Sequence, residues 1–149
     1  MEFLSEEVSK ATRHGFAAFL IVERNPRDIR RNYQLQRTPI AWLLRTDQYQ
    51  DISSLRGQLD DNADVVDPLE LNDVISYIDT FLEQSANPFV FLQVDSLFER
   101  NSFYVAYEFL QYVIAQVQKY NGILLVTLNR DVLSQDQHSQ LQQIVRELE

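Results

Sequence analysis

The chain predicts an α/β domain, a mostly parallel four-stranded sheet with helices on both faces. Three observations predict it. Four apolar runs of strand length, at residues 16–22, 39–44, 89–94 and 123–128, alternate with amphipathic helical stretches. The runs are apolar at successive rather than alternate positions, with Gln93 and Thr127 the polar exceptions near the ends of the last two, as suits strands covered on both faces. Strand-then-helix alternation is what right-handed crossovers turn into a parallel sheet. No period of 20–50 residues repeats, which excludes a solenoid. A chain of 149 residues is expected to form one domain over residues 1–149, with a core that needs no metal or disulfide.

Residues 2–13 read as a short helix with Leu4, Val8 and Ala11 on one stripe. Acids crowd its start, and Lys10, Arg13 and His14 its end, matching the helix dipole. Gly15 is a natural stop. Phe16-Ala17-Ala18-Phe19-Leu20-Ile21-Val22 is the first strand. Asn25-Pro26 opens a second short helix, with Asn25 to cap it, Pro26 at its first position and Asp28 at its third. Ile29 and Tyr33 face one way on it, and Arg27, Arg30 and Arg31 another. Pro39-Ile40-Ala41-Trp42-Leu43-Leu44 is the second strand, with proline at the position that tolerates it. Residues 45–66 are the long polar stretch. Such a length is uncommon for a structureless loop in a compact domain, so it reads as mobile, functional or partly ordered.

Asp67-Pro68-Leu69-Glu70 combines a cap, a first-turn proline and a capping-box glutamate. Leu71, Val74, Ile75, Ile78 and Leu82 then make a helical stripe. Asn87-Pro88 ends that helix and admits the strand at 89–94, which finishes at Asp95. Residues 102–120 form the longest helix. Ala106, Phe109, Leu110, Val113 and Val117 line one side of it, and Tyr104, Tyr107 and Ile114 make a second side apolar, so cover on two sides is expected. Asn121-Gly122 closes it. The last strand, 123–128, leads to Asn129, Arg130 and Asp131 just past its carboxyl edge. Ser134-Gln135-Asp136-Gln137 is a further capping box, opening a helix with Leu141, Ile144, Val145 and Leu148 on one stripe.

Composition removes several function classes. There is no cysteine, hence no disulfide and no thiolate chemistry. The apolar runs are too short to span a bilayer, and the acidic start lacks the basic and apolar regions of a signal peptide, so a soluble cytoplasmic protein is expected. The three glycines, Gly15, Gly57 and Gly122, stand in no glycine-rich loop and precede no lysine; the two lysines are Lys10 and Lys119. A phosphate cradle needs glycines for close backbone approach and usually a lysine for the terminal phosphates. The net charge of −9 is unevenly spread. Residues 10–45 carry +6 and residues 46–149 carry −12. This fits a solvated surface with internal pairing, or two opposite faces that steer a partner or pair head to tail between copies.

Several segments together resemble an archaeal family, domain of unknown function number 835. They are Asn25-Pro26-Arg27 through Tyr33-Gln34-Leu35, Thr38-Pro39-Ile40-Ala41-Trp42-Leu43, Asp67-Pro68 with Leu71 and Phe81-Leu82, Val90-Phe91-Leu92-Gln93-Val94-Asp95-Ser96-Leu97 with Asn101 and Phe103, and Leu124-Leu125-Val126. The resemblance spans nearly the whole chain and rests on the order and spacing of these pieces. That family is in turn similar to the RecA and KaiC-like ATPase fold, and residues 89–95 resemble a Walker B strand. The resemblance therefore implies a degenerate P-loop-NTPase-like sheet without its P-loop. It also implies an uncharacterised module, found alone or attached to sensory and signalling domains, with no catalytic residues to carry over. The family usually opens with another strand before the first helix. Here Met1 leads straight into the helix, and the sheet is expected to be one strand short.

The candidate sites follow. Ligands of parallel sheets bind beyond the carboxyl ends of the strands, which makes Asp95, Ser96, Asn129 and Arg130 the candidate sheet-edge ligand site. In an ATPase Asp95 would hold Mg²⁺ through water; without a phosphate loop it reads as vestigial or capping. Arg27, Arg30 and Arg31 are the candidate anion- or partner-binding face. Tyr104 and Tyr107 read as core packing or, if exposed, as an interface hot spot. Asp60, Asn62 and Asp64 imitate a calcium loop, but Val65 and Leu71 stand where it needs glycine and glutamate. His14 and His138 have no ligand spacing, and no metal or cofactor is expected. Nucleic acid is disfavoured by the pI of about 4.6. The expected function is a non-enzymatic protein-interaction or regulatory module in archaeal signalling, binding a protein partner or itself as a homodimer, with no membrane. The alternative is a small-ligand or nucleotide-sensing domain at the carboxyl edge.

Overall fold

The computed structural model describes residues 17–21, 40–43, 65–66, 71–85 and 88–147. Its strands are β1 (Ala18–Leu20), β2 (Ile40–Leu43), β3 (Val65–Val66), β4 (Phe89–Gln93), β5 (Ile123–Thr127) and β6 (Arg146–Glu147). They form one sheet in the order β3-β2-β4-β5-β1-β6. Every pairing is parallel. The four apolar runs supply the four middle strands. The expected count of four needs correcting at the edges, where β3 and β6 add two residues each.

Register explains why successive positions of the runs are apolar. Leu43, Leu92, Val126 and Leu20 align across β2, β4, β5 and β1. Trp42, Phe91, Leu125 and Phe19 make the adjacent row. Successive side chains point to opposite faces, so these rows belong to different sides of the sheet. Both rows are buried. The Trp42 and Phe91 rings lie 5.5 Å apart, tilted by 54°.

The helices are α1 (Leu71–Gln84), α2 (Asp95–Arg100), α3 (Phe103–Lys119) and α4 (Gln135–Leu141). Their buried side chains, among them Val74, Ile78, Leu110, Val113 and Leu141, join one cluster with the Leu92 row. Topology requires this common side. The connections β3 to β4, β4 to β5 and β5 to β6 all advance towards the β6 edge, and right-handed crossovers then fall on one face. The helices expected at 2–13 and from Asn25 onward lie outside the described residues, as does most of 45–66; the end of that polar stretch is β3.

Two local expectations change. A six-residue helix, α2, stands directly after β4: the Val94 carbonyl accepts from the N–H groups of Leu97 (3.1 Å) and Phe98 (3.2 Å), and both side chains are buried. The helix opened by Ser134 ends at Leu141, well short of Leu148. Leu141 and Val145 do turn inward, but Arg146 and Glu147 pair with Phe19 and Leu20 of β1. Pairing satisfies edge groups of β1 that a longer helix would leave open. β6 occupies the side of β1 away from β5. The expectation of a sheet one strand short at its start falls on residues before 17, outside the described residues.

Candidate functional site

The carboxyl edge of β4 and β5 carries a buried polar set. Gln93 and Thr127 stand in register and are buried, as are Asp95 and Ser96 beyond them. The Val94 N–H donates to the Thr127 carbonyl at 3.1 Å, carrying the ladder one residue past the strands. Asp95 is 3% exposed. Its Oδ1 accepts the backbone N–H of Asn129 at 2.9 Å, across from the exit of β5. The Asn129 side chain then accepts the Asp131 N–H at 3.1 Å, and its carbonyl the Val132 N–H at 3.1 Å. These bonds fold the exit into a 3-10 turn at Arg130–Val132. The edge thus brings Asp95 and Asn129 together. Ser96 is wholly buried at the start of α2, and Arg130 contributes its backbone to the turn. Among the described residues no group of three or more His, Asp or Glu side chains could hold a metal ion.

The second candidate surface is the outside of α3. The helix starts because Ser102 caps it, its Oγ accepting the Val105 N–H at 3.2 Å. It ends because Asn121 takes φ 56°. The N–H groups of Gly122 and Asn121 return to the carbonyls of Val117 (2.8 Å) and Gln118 (3.1 Å), the Schellman pattern. Its inner stripe is the one the spacing predicts: Ala106, Phe109, Leu110, Val113 and Val117 are all buried. The second apolar side is different. Tyr107 is half-buried, its ring 5.5 Å from that of Phe103, and its hydroxyl donates to the Gln140 carbonyl at 3.3 Å, tying α3 to α4. Tyr104 is 71% exposed, so core packing is the wrong reading for it. It falls on the outward stripe with Glu108, Gln111 and Ala115, which the sheet and the neighbouring helices leave uncovered.

Val105 and Tyr112 extend this surface, at 44% and 40% exposure. The Tyr112 hydroxyl donates to Asp79 Oδ2 at 3.2 Å, bridging α3 to α1. Desolvation first, then the hydrogen bond and charge of Asp79, raise the Tyr112 phenol above its ordinary pKa. Asp79 Oδ1 is buried without a hydrogen-bond partner. Sequence reasoning does not single out Tyr112 or Asp79. The spacing of Tyr112 two helical turns beyond Tyr104 is the signal that could have found it.

Of the remaining candidates, Arg27, Arg30 and Arg31 lie outside the described residues, as do His14 and the Asp60, Asn62, Asp64 segment. His138 is half-buried on α4, with its Nε2 buried and unpaired. No described helix is long and apolar enough to cross a membrane.

The sequence profile of a family described as Protein of unknown function (DUF835) matches residues 2–145. No curated protein matches. The chain belongs to that family.

Proposed function

We propose that this family member is a non-enzymatic docking module, built on a RecA- and KaiC-type sheet without a phosphate loop, whose partner-binding surface is the outside of α3. The observation that carries this is the exposure of Tyr104, with Val105 and Tyr112 beside it on one helix. Tyrosine supplies large contact area with only two rotatable bonds to fix, and it is enriched among residues that dominate binding energy. The engagement of the Asp95 carboxylate by the Asn129 N–H favours the same reading, since that oxygen already has a structural donor. A signalling role is the setting in which such a module acts.

Photo-crosslinking tests the surface. A photoreactive phenylalanine analogue in place of Tyr104, in the native host cell, is expected to give a discrete protein adduct. The same analogue in place of Gln142, exposed beyond α4, is expected to give none. Equal labelling at both positions, or none at Tyr104, would remove the α3 surface from the proposal.

The second reading is a small-ligand sensor. It is favoured by the buried polar set Gln93, Asp95, Ser96 and Thr127 at the edge where parallel sheets bind ligands. A ligand of the native state raises the melting temperature, by about 2.7 kcal/mol of stabilisation at a hundredfold excess over Kd. Nucleotides with Mg²⁺ are expected to leave the melting temperature unchanged under the docking reading. A saturable rise would transfer the function to the sheet edge.

A further inference from the structure

The outside of α3 carries more than aromatic area. Glu108, Tyr112, Ala115 and Lys119 are all exposed, and they stand at i, i+4, i+7 and i+11. That is the spacing of a coiled-coil seam, which keeps one narrow stripe of a helix facing its neighbour. The stripe has a charge of each sign at its two ends. Eleven residues of helix separate them by about 16 Å, so Glu108 and Lys119 of one copy cannot pair with each other. Among the described residues neither has an ion-pair partner; the Lys119 ammonium rests 5.6 Å from the Tyr120 ring centroid.

Reversal of this stripe complements it. Two α3 helices laid antiparallel, with a two-fold axis passing between positions 113 and 114, set Glu108 against Lys119 and Tyr112 against Ala115. Each contact then occurs twice, as an isologous interface requires. The small Ala115 side chain leaves room for the Tyr112 ring. The Tyr112–Asp79 hydrogen bond presets that ring, which lowers the ordering cost of docking. Parallel pairing would instead set Glu108 against Glu108 and Lys119 against Lys119. A stripe of one sign would suit a foreign partner of the opposite sign; this one carries both signs, in the order that its own reversal matches.

We propose that the partner of the α3 surface is a second copy of this chain, docked antiparallel through Glu108–Lys119 and Tyr112–Ala115 contacts. This rests on the docking reading above and names its partner. A single helix pair is smaller than the roughly 800 Å² per partner of a standard stable interface, so the dimer is weak and concentration-dependent.

Sedimentation equilibrium of the purified chain with charge reversals tests it. Wild type is expected to dimerise in the micromolar range. Glu108→Lys and Lys119→Glu should each weaken dimerisation about tenfold, through two lost pairs and the like charges that replace them. The double variant Glu108→Lys with Lys119→Glu should recover wild-type association. An equimolar mixture of the two single variants should form heterodimers, because opposite charges then meet at both sites. Circular dichroism confirms that each variant is folded, as exposed positions allow. A wild type monomeric throughout, or a folded double variant that fails to recover, overturns the second-copy assignment. Crosslinking at Tyr104 separates the two readings. An adduct of two copies supports both, and an adduct to a different protein overturns only the self-association.

Discussion

A carboxylate with 3% of its surface exposed needs donors, and for Asp95 the Asn129 N–H is one. The sequence marks this aspartate as unusual, because it ends an apolar strand, but cannot say what it holds. The answer depends on a residue 34 positions away that only the β4–β5 pairing brings near. Asp95→Ala is expected to cost about 1–3 kcal/mol in urea unfolding, since it deletes the acceptor of a partly buried N–H. Asp95→Asn keeps an oxygen at the same place and should cost less. Equal losses would mean that negative charge, not the acceptor, matters there. Tyr112 gives a pH-dependent prediction. Its folded pKa is raised, by desolvation and by Asp79, so between the unfolded and folded values the native state binds more protons than the unfolded one. Its contribution to stability is therefore fully present below the unfolded value near 10 and is lost as pH rises through the folded value. Tyr112→Phe should flatten that alkaline decline in equilibrium unfolding, and phenolate absorbance should place the wild-type transition above the ordinary tyrosine range.

Among the elements, those with a long repeating pattern are the legible ones. The four middle strands and the inner stripe of α3 can be read directly, because burial on a fixed period leaves a run or a stripe. The two-residue strands β3 and β6 are too short to carry any period, and they exist because their neighbours β2 and β1 offer edges. Helix α2 hides for the same reason, wedged between a strand and the Ser102 cap. The junction of α3 and β5 is legible as a stop but not in its division of labour. Asn121, not glycine, takes the left-handed conformation, while Gly122 is needed for space. A Cβ at Gly122 would lie 2.6 Å from the Pro88 carbonyl oxygen, which accepts the Ile123 N–H at 2.9 Å. That oxygen cannot retreat without loosening the first rung between β4 and β5. Gly122→Ala is expected to destabilise by about 1–3 kcal/mol, an overpacking cost. Asn121→Gly should be neutral or stabilising, and Asn121→Ala should lose about 1 kcal/mol from the left-handed backbone. Chemical denaturation of the three variants checks the assignment, and the opposite order would reverse the two roles. Ser134→Ala removes one half of the capping box with Gln137, whose two bonds are 3.0 and 3.2 Å, and should cost about 1 kcal/mol.

At the scale of the whole molecule, the outward side of α3 is the part least legible beforehand. Tyr104 has the composition of a core residue, and only the packing of α1 and α4 beside α3 decides that its stripe stays open. Whole-chain charge is legible as a total, yet all eight basic side chains of residues 10–45 lie outside the described residues, while α1 carries Asp73, Asp79 and Glu83 without a base. Order in the sheet sets a gradient of stability. Strands β4 and β5 are paired on both sides and packed under α1 and α3, whereas β3 and β6 are edges of two residues. Local opening of an edge breaks few contacts, but opening β4 or β5 disrupts both neighbours and the helix layer together. Native-state hydrogen exchange should therefore show the amides of Leu92 and Leu125 exchanging only with global unfolding, at the free energy given by denaturant melts. The amides of Arg146 and Glu147 should exchange orders of magnitude faster, through local opening. If β6 proved as protected as β5, something would have to cover its outer edge in solution. Because α3 is remote from that edge in the sheet order, the Glu108→Lys variant should leave β6 exchange unchanged while removing any concentration-dependent protection along α3. Loss of protection at both places together would mean that the two surfaces belong to one cooperative unit.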